Sequence, residues 1–331
     1  MTTRPTVTVV IPTHNRVDML AEAVASALAE RTVPLQVVVV DDASSDGTAA
    51  WLGGRDDPRL EHQVLSTGRC GSGARNVGLE RCAAPHVLFL DDDDTLQPGA
   101  IPALLAALRR HPDAVRSVGA HRLFGIGVKS HRTSHPRVAM TRRTWREELA
   151  QWNMPPGAML WRTDVVRRLG GWDESLRRAE DAELCLRSWR HPAALIPDTV
   201  MSYRCHVDQV PTATAWPLDW QARRGFVDSL PEPERTHGER LLRSRELYQQ
   251  ALEKHIARDF RGSAAGFAAM ARCSPVLMTS PVSGPYLAGL LAKATLGALL
   301  PQAASQRISV RRRQRRGRVP DSRRTVAAES E

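Results

Sequence analysis

The sequence predicts an α/β protein with a mostly parallel central sheet flanked by helices and an all-helical C-terminal extension. Through the first 110 residues, short apolar runs of strand length alternate with segments of helical periodicity. That alternation is typical of a parallel sheet covered by helices on both faces. Beyond about residue 216 only helical periodicity remains, with proline-rich breaks between its segments. We therefore expect a main domain over 1–215, a helical extension over 216–301 and a basic, disordered tail over 302–331.

Four strand–helix units build the predicted first half of the sheet. Strands are predicted from β-branched or apolar runs closed by turn residues, and helices from apolar residues that recur on one face. The expected strands comprise residues 7–11, 37–40, 61–65 and 86–90. The expected helices comprise residues 17–29, 48–52, 74–82 and 98–110, with a loop over 66–73.

The later part of the main domain is less regular than the first, and the extension is helical throughout. The main domain continues with expected strands over 115–124 and 158–161 and expected helices over 163–169 and 181–189. In the extension the periodicity predicts helices over 216–230, 234–258, 261–272 and 285–300.

The composition is that of a soluble globular protein, with 42% hydrophobic and 25% charged residues. The net charge of +10 is concentrated in residues 307–331, where nine arginines face three acidic residues. The five cysteines are scattered without a C-x-x-C pair. This spacing argues against a disulfide framework or a zinc site and favours a reducing compartment. We expect no signal peptide and no spanning helix, because no sufficiently long apolar run is present, and hence a cytoplasmic protein.

Polar clusters follow three of the predicted strands at the point where each strand ends. Residues 12–15 follow the first strand, Asp41 and Asp42 end the second, and the run 91–94 follows the fourth. Ligands of open α/β sheets bind beyond the carboxyl ends of the strands. The three clusters therefore predict one shared site at this edge of the sheet.

The run 91–94 consists of four consecutive aspartates. Like charges this close disfavour joint ionisation unless a cation neutralises them. Carboxylates select hard ions such as Mg²⁺ or Mn²⁺, and a cation held by one or two carboxylates keeps positions that phosphate oxygens can fill. The run thus favours a metal–diphosphate site. The alternative is a solvated turn in which Asp94 or Thr95 caps the next helix.

Two further segments could contact a nucleotide. A carboxylate at the place of Asp42 can accept hydrogen bonds from a ribose or a base, and the alternative is turn chemistry with its serine and glycine neighbours. Residues 71–76 depart from a dinucleotide fingerprint because Asn76 stands where the third glycine is needed. They could still present a helix N-terminus to a phosphate, with Arg75 as an added cation, against the alternative of a flexible loop.

Six short segments, taken in order, are more specific than any of them alone. They are Val-Ile-Pro-Thr-His-Asn-Arg at 10–16, Val-Asp-Asp-Ala-Ser-Ser-Asp-Gly-Thr at 40–48, Ser-Gly-Ala-Arg-Asn-Val-Gly at 72–78, Phe-Leu-Asp-Asp-Asp-Asp at 89–94, Gly-Gly-Trp-Asp-Glu at 170–174 and Glu-Asp-Ala-Glu-Leu-Cys-Leu-Arg at 180–187. This ordered set resembles the family 2 glycosyltransferases over about residues 5–210. The resemblance implies the GT-A fold and an inverting transfer of a sugar from a nucleotide-diphosphate sugar to an acceptor hydroxyl.

The resemblance also implies roles in catalysis and metal binding. Asp181 would be the base that deprotonates the acceptor hydroxyl, with Glu180 beside it as a second catalytic residue. Asp91 and Asp93 would form the D-x-D pair, with Asp93 the direct metal ligand, although a run of four aspartates leaves the register open by one. His206 would lie near the diphosphate and the metal, against the alternative of a satisfied loop histidine.

Donor and acceptor contacts are implied in the same way. The nucleotide-sugar contacts would come from Pro12, Thr13, Asn15, Asp42, Arg75, Asp91 and Asp92. Trp172 would line the acceptor pocket, against the alternative of a core aromatic. The implied cofactor is Mn²⁺ or Mg²⁺, which stabilises the leaving diphosphate as a Lewis acid. The implied partners are a nucleotide-diphosphate sugar, with a UDP-sugar as the expected donor, and a saccharide, lipid-linked or small-molecule acceptor.

Three alternatives belong to other classes of protein. Residues 89–96 also resemble the D-x-D-x-T signature of haloacid-dehalogenase phosphatases, with Asp91 as nucleophile, although three strand–helix units precede it here. The arginine run 311–318 could bind nucleic acid, but no aromatic residue interleaves it for base stacking, so nucleic acid is not an expected partner. Residues 286–318 join an apolar segment to the basic run, which favours peripheral attachment to an anionic membrane surface over a core helix with a solvated tail.

Overall fold

The computed structural model describes residues 4–125, 133–134, 154–188, 190–206, 223–257 and 259–273, and a few isolated residues between 291 and 298. The chain divides into two compact units, Met1–Leu242 and Arg243–Glu331. The division falls inside a long helix, Glu234–Ile256. The expected limit near residue 215 lies outside the described residues and stays a prediction. The expected limit at residue 301 and the basic tail lie outside the described residues.

The elements of the described residues alternate between strand and helix up to residue 110. The strands are β1 (Val7–Thr13), β2 (Leu35–Asp41), β3 (Leu60–Val64), β4 (His86–Phe89), β5 (Thr95–Leu96), β6 (Arg116–Gly125), β7 (Thr133–Ser134), β8 (Met159–Arg162) and β9 (Ala193–Cys205). The helices are α1 (Val17–Leu28), α2 (Thr48–Gly53), α3 (Cys70–Glu80), α4 (Ala100–Arg110), α5 (Thr163–Arg168), α6 (Glu180–Arg187), α7 (Glu234–Ile256) and α8 (Phe260–Cys273). A 3₁₀ turn, Pro156–Ala158, precedes β8.

The strands form one sheet with the order β3-β2-β1-β4-β8-β6-β9-β5, and β7 pairs with β6. The pairs β2–β3, β1–β2, β1–β4 and β6–β9 are parallel, and the pairs made by β8, β5 and β7 are antiparallel. In the parallel register Thr13 lies opposite Asp41, and Val10 lies opposite Phe89. The carboxyl ends of β1, β2 and β4 therefore meet at one edge. The predicted fold class, a central mostly parallel sheet flanked by helices, is confirmed.

The central strands are buried on both faces, as expected for a parallel sheet between helices. In β1, Val9 and Ile11 belong to the core under α1 and α4, whereas Val10 faces α3. The contact with α3 is close: a Cβ atom on Gly78 would lie 2.3 Å from Cγ1 of Val10, so a side chain there would push α3 off the sheet. Each fully buried valine contributes about 1.5–3 kcal/mol relative to exposure. This burial fixes the strand ends on which the polar clusters sit.

In the main domain one predicted loop was wrong, and one long strand was not predicted. The segment 66–73 was expected as a loop, but α3 begins at Cys70, because packing of the small residues at its start outweighs the low helix propensity of glycine. The strand β9 was not among the predicted elements. Its pattern is broken by Pro197, which lies where the register between β6 and β9 shifts, and a proline is tolerated at such an irregularity.

The second unit contains α8 and the part of α7 that begins at Arg243. Both helices were predicted. Tyr248 and Phe267 pack with ring centroids 5.9 Å apart, and the Ser244 hydroxyl donates a 2.9 Å hydrogen bond to the Met270 carbonyl. Of the helix expected over 216–230, residues 223–228 are helical, and residues 216–222 lie outside the described residues. The helix expected over 285–300 lies mostly outside the described residues. Within the part of the chain that the structure describes, no helix has the length and apolarity needed to cross a membrane.

Candidate active site

The four aspartates that follow β4 point to three different parts of the main domain. Oδ1 of Asp91 accepts a 2.6 Å hydrogen bond from Arg75 of α3. Oδ1 of Asp94 accepts a 2.8 Å hydrogen bond from the backbone N–H of Arg204 at the end of β9, and its other oxygen is buried without a hydrogen-bond partner. Asp91 thus faces α3 and Asp94 faces β9, so neither is a simple solvated turn residue.

Asp92 and Asp93 face the loop that follows β1. Thr13 donates a 2.7 Å hydrogen bond to Oδ2 of Asp92. One nitrogen of Arg16, Nη1, lies 3.0 Å from Oδ1 of Asp92 and 3.0 Å from Oδ2 of Asp93. On its other side, Oδ2 of Asp93 lies 3.2 Å from Nε2 of His206. The structure therefore brings His206, predicted from the end of the motif region, next to the aspartate predicted as the metal ligand.

Burial makes three of the four aspartates harder to ionise, as the direction of each pKa shift shows. It raises the pKa of Asp92 and of Asp93, and the negative charge of Asp91 adds to the rise at Asp93. The pKa of Asp94 is raised well above its ordinary value, by burial first and then by the charges of Asp91 and Asp93. Arg16 opposes the rise at both Asp92 and Asp93. Asp92, Asp93 and Asp94 thus hold a proton more readily than an exposed carboxyl does, because their pKa values are raised mainly by burial.

Arg75 connects two predicted acidic motifs that lie about ninety residues apart in the sequence. Its side chain is only 8% exposed, and it forms ion pairs of 2.6 Å with Asp91 and 3.1 Å with Glu180 at the start of α6. The guanidinium carbon lies 4.7 Å from the ring centroid of Trp172. A buried guanidinium with these partners draws the end of β4 and the start of α6 into one site. A direct contact between Arg75 and a donor stays a prediction.

Asp181, the expected base, is partly buried beside Glu180. Burial, with a further contribution from the charge of Glu180, raises the pKa of Asp181 to about 7. Its Oδ1 accepts a 2.7 Å hydrogen bond from the N–H of Ala182. Ala179, two residues before Asp181, has a φ of 60°, which is a strained conformation for a residue other than glycine. A carboxylate with a pKa near neutrality can both take and hold a proton at working pH.

Trp172 is 3% exposed and packs edge-to-face on Phe89, with centroids 5.0 Å apart. Its backbone is held by Asn76, which donates to the Trp172 carbonyl at 2.9 Å and accepts from the Trp172 N–H at 2.8 Å. Gly171 has a φ of 74°, and a Cβ there would lie 2.5 Å from Oδ1 of Asn76, so this junction requires glycine. The burial of Trp172 favours the alternative of a core aromatic that supports Arg75. Its predicted contact with the acceptor is not tested by these positions.

The loops after β1 and β2 close on each other beside the aspartates. Asn15 has a φ of 54°; its N–H donates to the Ser44 hydroxyl at 2.8 Å, and its side-chain oxygen accepts from the Ser45 N–H at 2.7 Å. Asp41 holds the turn after β2 through the Ser44 N–H, 3.0 Å away, and its second oxygen is buried without a partner. The backbone and side chain of Asn15 thus join the two loops. Its contact with the nucleotide stays a prediction.

Asp42 lies on the inner side of this loop pair and is buried. Its Oδ1 accepts a 2.6 Å hydrogen bond from the N–H of Arg69, just before α3. Its carbonyl oxygen lies 2.8 Å from Nδ1 of His14. Pro12, also predicted as a donor contact, is a buried residue near the end of β1 and lies opposite Val40 in the sheet. These residues share the same edge as the aspartates.

The donor chemistry of this edge suits a hard divalent cation, although a complete ligand set is not assembled. Among the described residues, no three His, Cys, Asp or Glu side chains are grouped to hold a metal ion. The carboxylate of Asp93 and the imidazole of His206 do converge, at 3.2 Å. A carboxylate suits Mg²⁺ or Mn²⁺, and a cation with few protein ligands completes its shell with water and phosphate oxygens. The residues present therefore fit a cation that binds together with a diphosphate.

Two arginines of the site had no predicted role. Arg16 ends the first motif and lies just before α1, and Arg204 lies two residues before His206. Arg204 donates to the Asp93 carbonyl at 2.8 Å and to Glu22 of α1 at 2.5 Å. The sequence signal for Arg16 was its position after β1, and the signal for Arg204 was its position near the candidate ligand His206. Because β9 was not predicted, Arg204, which lies on this strand, could not be placed near the aspartates.

The fold defines the class of protein. Crystal structures of S. aureus TarS 1–349, alone and in complex with UDP-GlcNAc, superpose with TM-scores of 0.59 and 0.60 at 18% and 17% sequence identity. The match covers 87% of this chain in both cases and 88% and 89% of those chains. The described architecture is thus the GT-A fold that the sequence resemblance implied.

The family follows from the sequence comparison. Residues 8–170 match the family described as Glycosyl transferase family 2. The succinoglycan biosynthesis protein ExoO of Rhizobium meliloti is 38% identical over 101 residues, which cover 30% of this chain and 29% of that protein. A pre-mycofactocin glycosyltransferase of Mycobacterium tuberculosis is 28% identical over 238 residues, 69% of this chain and 47% of that protein. The chain belongs to the family 2 glycosyltransferases, and it spans less than half the length of these two relatives.

Proposed function

We propose that this chain transfers a sugar from a nucleotide-diphosphate sugar to an acceptor hydroxyl, with inversion and with a divalent cation. The observation that supports this most directly is the double ion pair of Arg75, at 2.6 Å to Asp91 and 3.1 Å to Glu180. It holds the acidic strand end and the acidic helix start at one site. Such a site can act on both the donor's diphosphate and the acceptor's hydroxyl.

The donor would lie along the edge formed by β1, β2 and β4. Asp42, Asn15 and the segment 12–13 border the nucleoside, beyond the carboxyl ends of parallel strands where such ligands bind. The solved TarS structures, which share this fold, bind UDP-GlcNAc and UDP. By this likeness we propose a UDP-sugar as the donor.

Asp93 and His206 would hold the cation, and Asp91 and Asp92 would complete the acidic surface around it. When bound, Mn²⁺ or Mg²⁺ supplies charge that stabilises the departing diphosphate. The protein's own contribution is to place a carboxylate and an imidazole 3.2 Å apart at the end of β4. This arrangement favours Asp93 over its neighbours as the direct ligand and so supports one register of the D-x-D pair.

Asp181 would act as the general base. As the acceptor oxygen forms its bond to the anomeric carbon, the hydroxyl proton moves to the Asp181 carboxylate, and the electron pair of the breaking sugar–phosphate bond leaves with the diphosphate. A base on the face opposite the leaving group gives inversion in one step and needs no covalent nucleophile. The pKa of about 7 for Asp181 suits proton acceptance near neutral pH.

For the acceptor we propose a saccharide, lipid-linked or small-molecule hydroxyl compound of cell-envelope polysaccharide assembly. The relatives named for succinoglycan biosynthesis and as pre-mycofactocin glycosyltransferases support the breadth of this class. A phosphatase with Asp91 as nucleophile is the less favoured alternative, because three strand–helix units precede Asp91 and because its Oδ1 atom accepts a hydrogen bond from Arg75.

A thermal-shift panel of nucleoside diphosphates with and without Mn²⁺ tests the donor site. A ligand that binds only the folded state adds about 2.7 kcal/mol to the free energy of unfolding at a concentration 100 times its Kd. The melting temperature rises as a result. We expect UDP to give the largest shift and Mn²⁺ to increase it. Release of UDP from a UDP-sugar in the presence of an acceptor then tests transfer. A panel in which no nucleotide raises the melting temperature would contradict the proposal.

We also propose a cytoplasmic protein that attaches to an anionic membrane surface through residues 286–318. An apolar segment followed by a basic run supplies two signals for peripheral binding. Flotation with anionic liposomes compares the full chain with a chain ending at residue 301. We expect the full chain to float and the shortened chain to stay behind. Equal flotation, or none, would contradict the attachment.

A further inference from the structure

A single arginine nitrogen occupies the place between two neighbouring aspartates of the candidate metal site. Nη1 of Arg16 lies 3.0 Å from Oδ1 of Asp92 and 3.0 Å from Oδ2 of Asp93. The same Oδ2 lies 3.2 Å from His206. The guanidinium thus sits on the carboxylate oxygen that faces the imidazole. A cation that joined Asp93 to His206 would have to share or take this oxygen.

The contacts that Asp92 and Asp93 make with Arg16 and Thr13 differ in how exposed the partner is, and therefore in how easily each contact can break. The side chain of Arg16 is 45% exposed, whereas those of Asp92 and Asp93 are 7% and 9% exposed. Thr13, which holds the other oxygen of Asp92, is buried at the end of β1. Ion pairs with a half-exposed partner are weak because water can replace them. Arg16 is therefore the contact that can leave while the aspartates stay in place.

Arg16 also lies where a diphosphate would arrive. It directly follows Asn15 in the loop after β1 and immediately precedes α1. β1 is flanked by β2 and β4, whose carboxyl ends form the proposed donor edge. A guanidinium that leaves the aspartates there can form paired hydrogen bonds with phosphate oxygens.

We propose that Arg16 is a displaceable counter-ion: it neutralises Asp92 and Asp93 until a diphosphate draws its guanidinium away and a divalent cation takes its place. This inference rests on the proposed function, because it assumes that a diphosphate and a cation share this edge. Its consequence is that metal and nucleotide bind cooperatively. The cation binds weakly alone, since Arg16 competes for Asp93, and binds tightly once the nucleotide has moved Arg16.

The test measures Mn²⁺ binding by the loss of the free-ion signal in electron paramagnetic resonance, with and without UDP. The full chain is compared with Arg16→Gln, which removes the competing charge, and with Arg16→Lys, which keeps it. Arg109→Gln makes the same change of charge on an exposed residue in the last turn of α4 and serves as the control. Circular dichroism confirms that each variant is folded.

We expect Arg16→Gln to bind Mn²⁺ about three- to tenfold more tightly than the unchanged chain without UDP, the range that two partly exposed ion pairs allow. UDP should then enhance Mn²⁺ binding less in this variant. Arg16→Lys should lie between the two, and Arg109→Gln should match the unchanged chain. Equal Mn²⁺ affinity in Arg16→Gln and the unchanged chain, with enhancement by UDP intact, overturns this inference alone. No Mn²⁺ binding by any variant with UDP overturns it together with the proposed metal, while a thermal shift by UDP would still support the donor site.

Discussion

Two arginines bridge carboxylates on opposite sides of the candidate active site, and they differ in exposure. Arg75 joins the end of β4 to the start of α6, and its side chain is 8% exposed. Arg16 lies over two neighbouring aspartates, and its side chain is 45% exposed. Removing a buried ion-pair partner leaves charges that water cannot reach, whereas an exposed partner is replaced by water. With the function proposed above, we infer that the acceptor side, around Arg75 and Asp181, is a fixed framework, and that the donor side, around Arg16, can exchange its cation.

The strongest test of the fixed side is Asp181→Asn. The amide keeps the shape of the carboxylate but cannot accept the hydroxyl proton, so we expect transfer to fall by about 10²- to 10⁴-fold. Binding of UDP, measured by calorimetric titration, should survive because Asp181 lies on the acceptor side. Full transfer activity in this variant would remove Asp181 from the mechanism and would leave the fixed framework without a chemical role.

Two matched substitutions test whether the buried Arg75 and the half-exposed Arg16 differ in their contribution to stability. Arg75→Met leaves Asp91 and Glu180 without their buried cation, and we expect a loss of about 3–5 kcal/mol in the free energy of unfolding. Arg16→Met removes a half-exposed cation, and we expect a change of about 1 kcal/mol or less. Urea unfolding of both variants measures the difference. Equal losses would mean that exposure does not distinguish the two arginines.

On the donor side, Asp93→Ala removes the carboxylate that faces His206. We expect Mn²⁺-dependent binding of UDP to weaken by about tenfold or more, since a truncated metal ligand cannot be replaced by its buried neighbours. Asp113→Ala, at an exposed position beyond α4, is the matched control. Calorimetric titrations that give the same affinity for both variants would place the cation elsewhere.

The pH dependence refines the description of the acceptor side. Because the pKa of Asp181 is about 7, we expect kcat/KM to fall about tenfold per pH unit below 7 and to level off above it. The folded pKa lies above the ordinary value of 3.8, so the neutral carboxyl is the form that the fold favours. Its contribution to stability is present at low pH and is lost as the pH rises through about 7. A urea midpoint that falls from pH 5 to pH 8 relative to Asp181→Asn would show this. A flat profile in both measurements would contradict the raised pKa.

Much of the site could be predicted because its residues lie at strand ends. The first four strands are apolar runs of strand length, and parallel strands place their carboxyl ends at one edge. Thr13, Asp42 and the aspartate run do lie at the predicted edge of the sheet. The strand β9 could not be predicted, because Pro197 and polar residues break its pattern, and α3 begins four residues before its predicted start. In both cases tertiary packing outweighed local propensity.

The order of motifs along the chain was enough to determine the α/β class, the family and the edge of the sheet that holds the polar residues. Only the tertiary structure decided the direction of each aspartate and the partners of Arg16 and Arg75. Arg16 and Arg75 come from segments before β4, whereas Glu180 of α6 and the contacts of Asp93 and Asp94 with His206 and Arg204 come from about a hundred residues after it. No local pattern specifies which side chains such distant segments bring together. Exposure, which separates a permanent cation from an exchangeable one, likewise depends on what packs above each side chain.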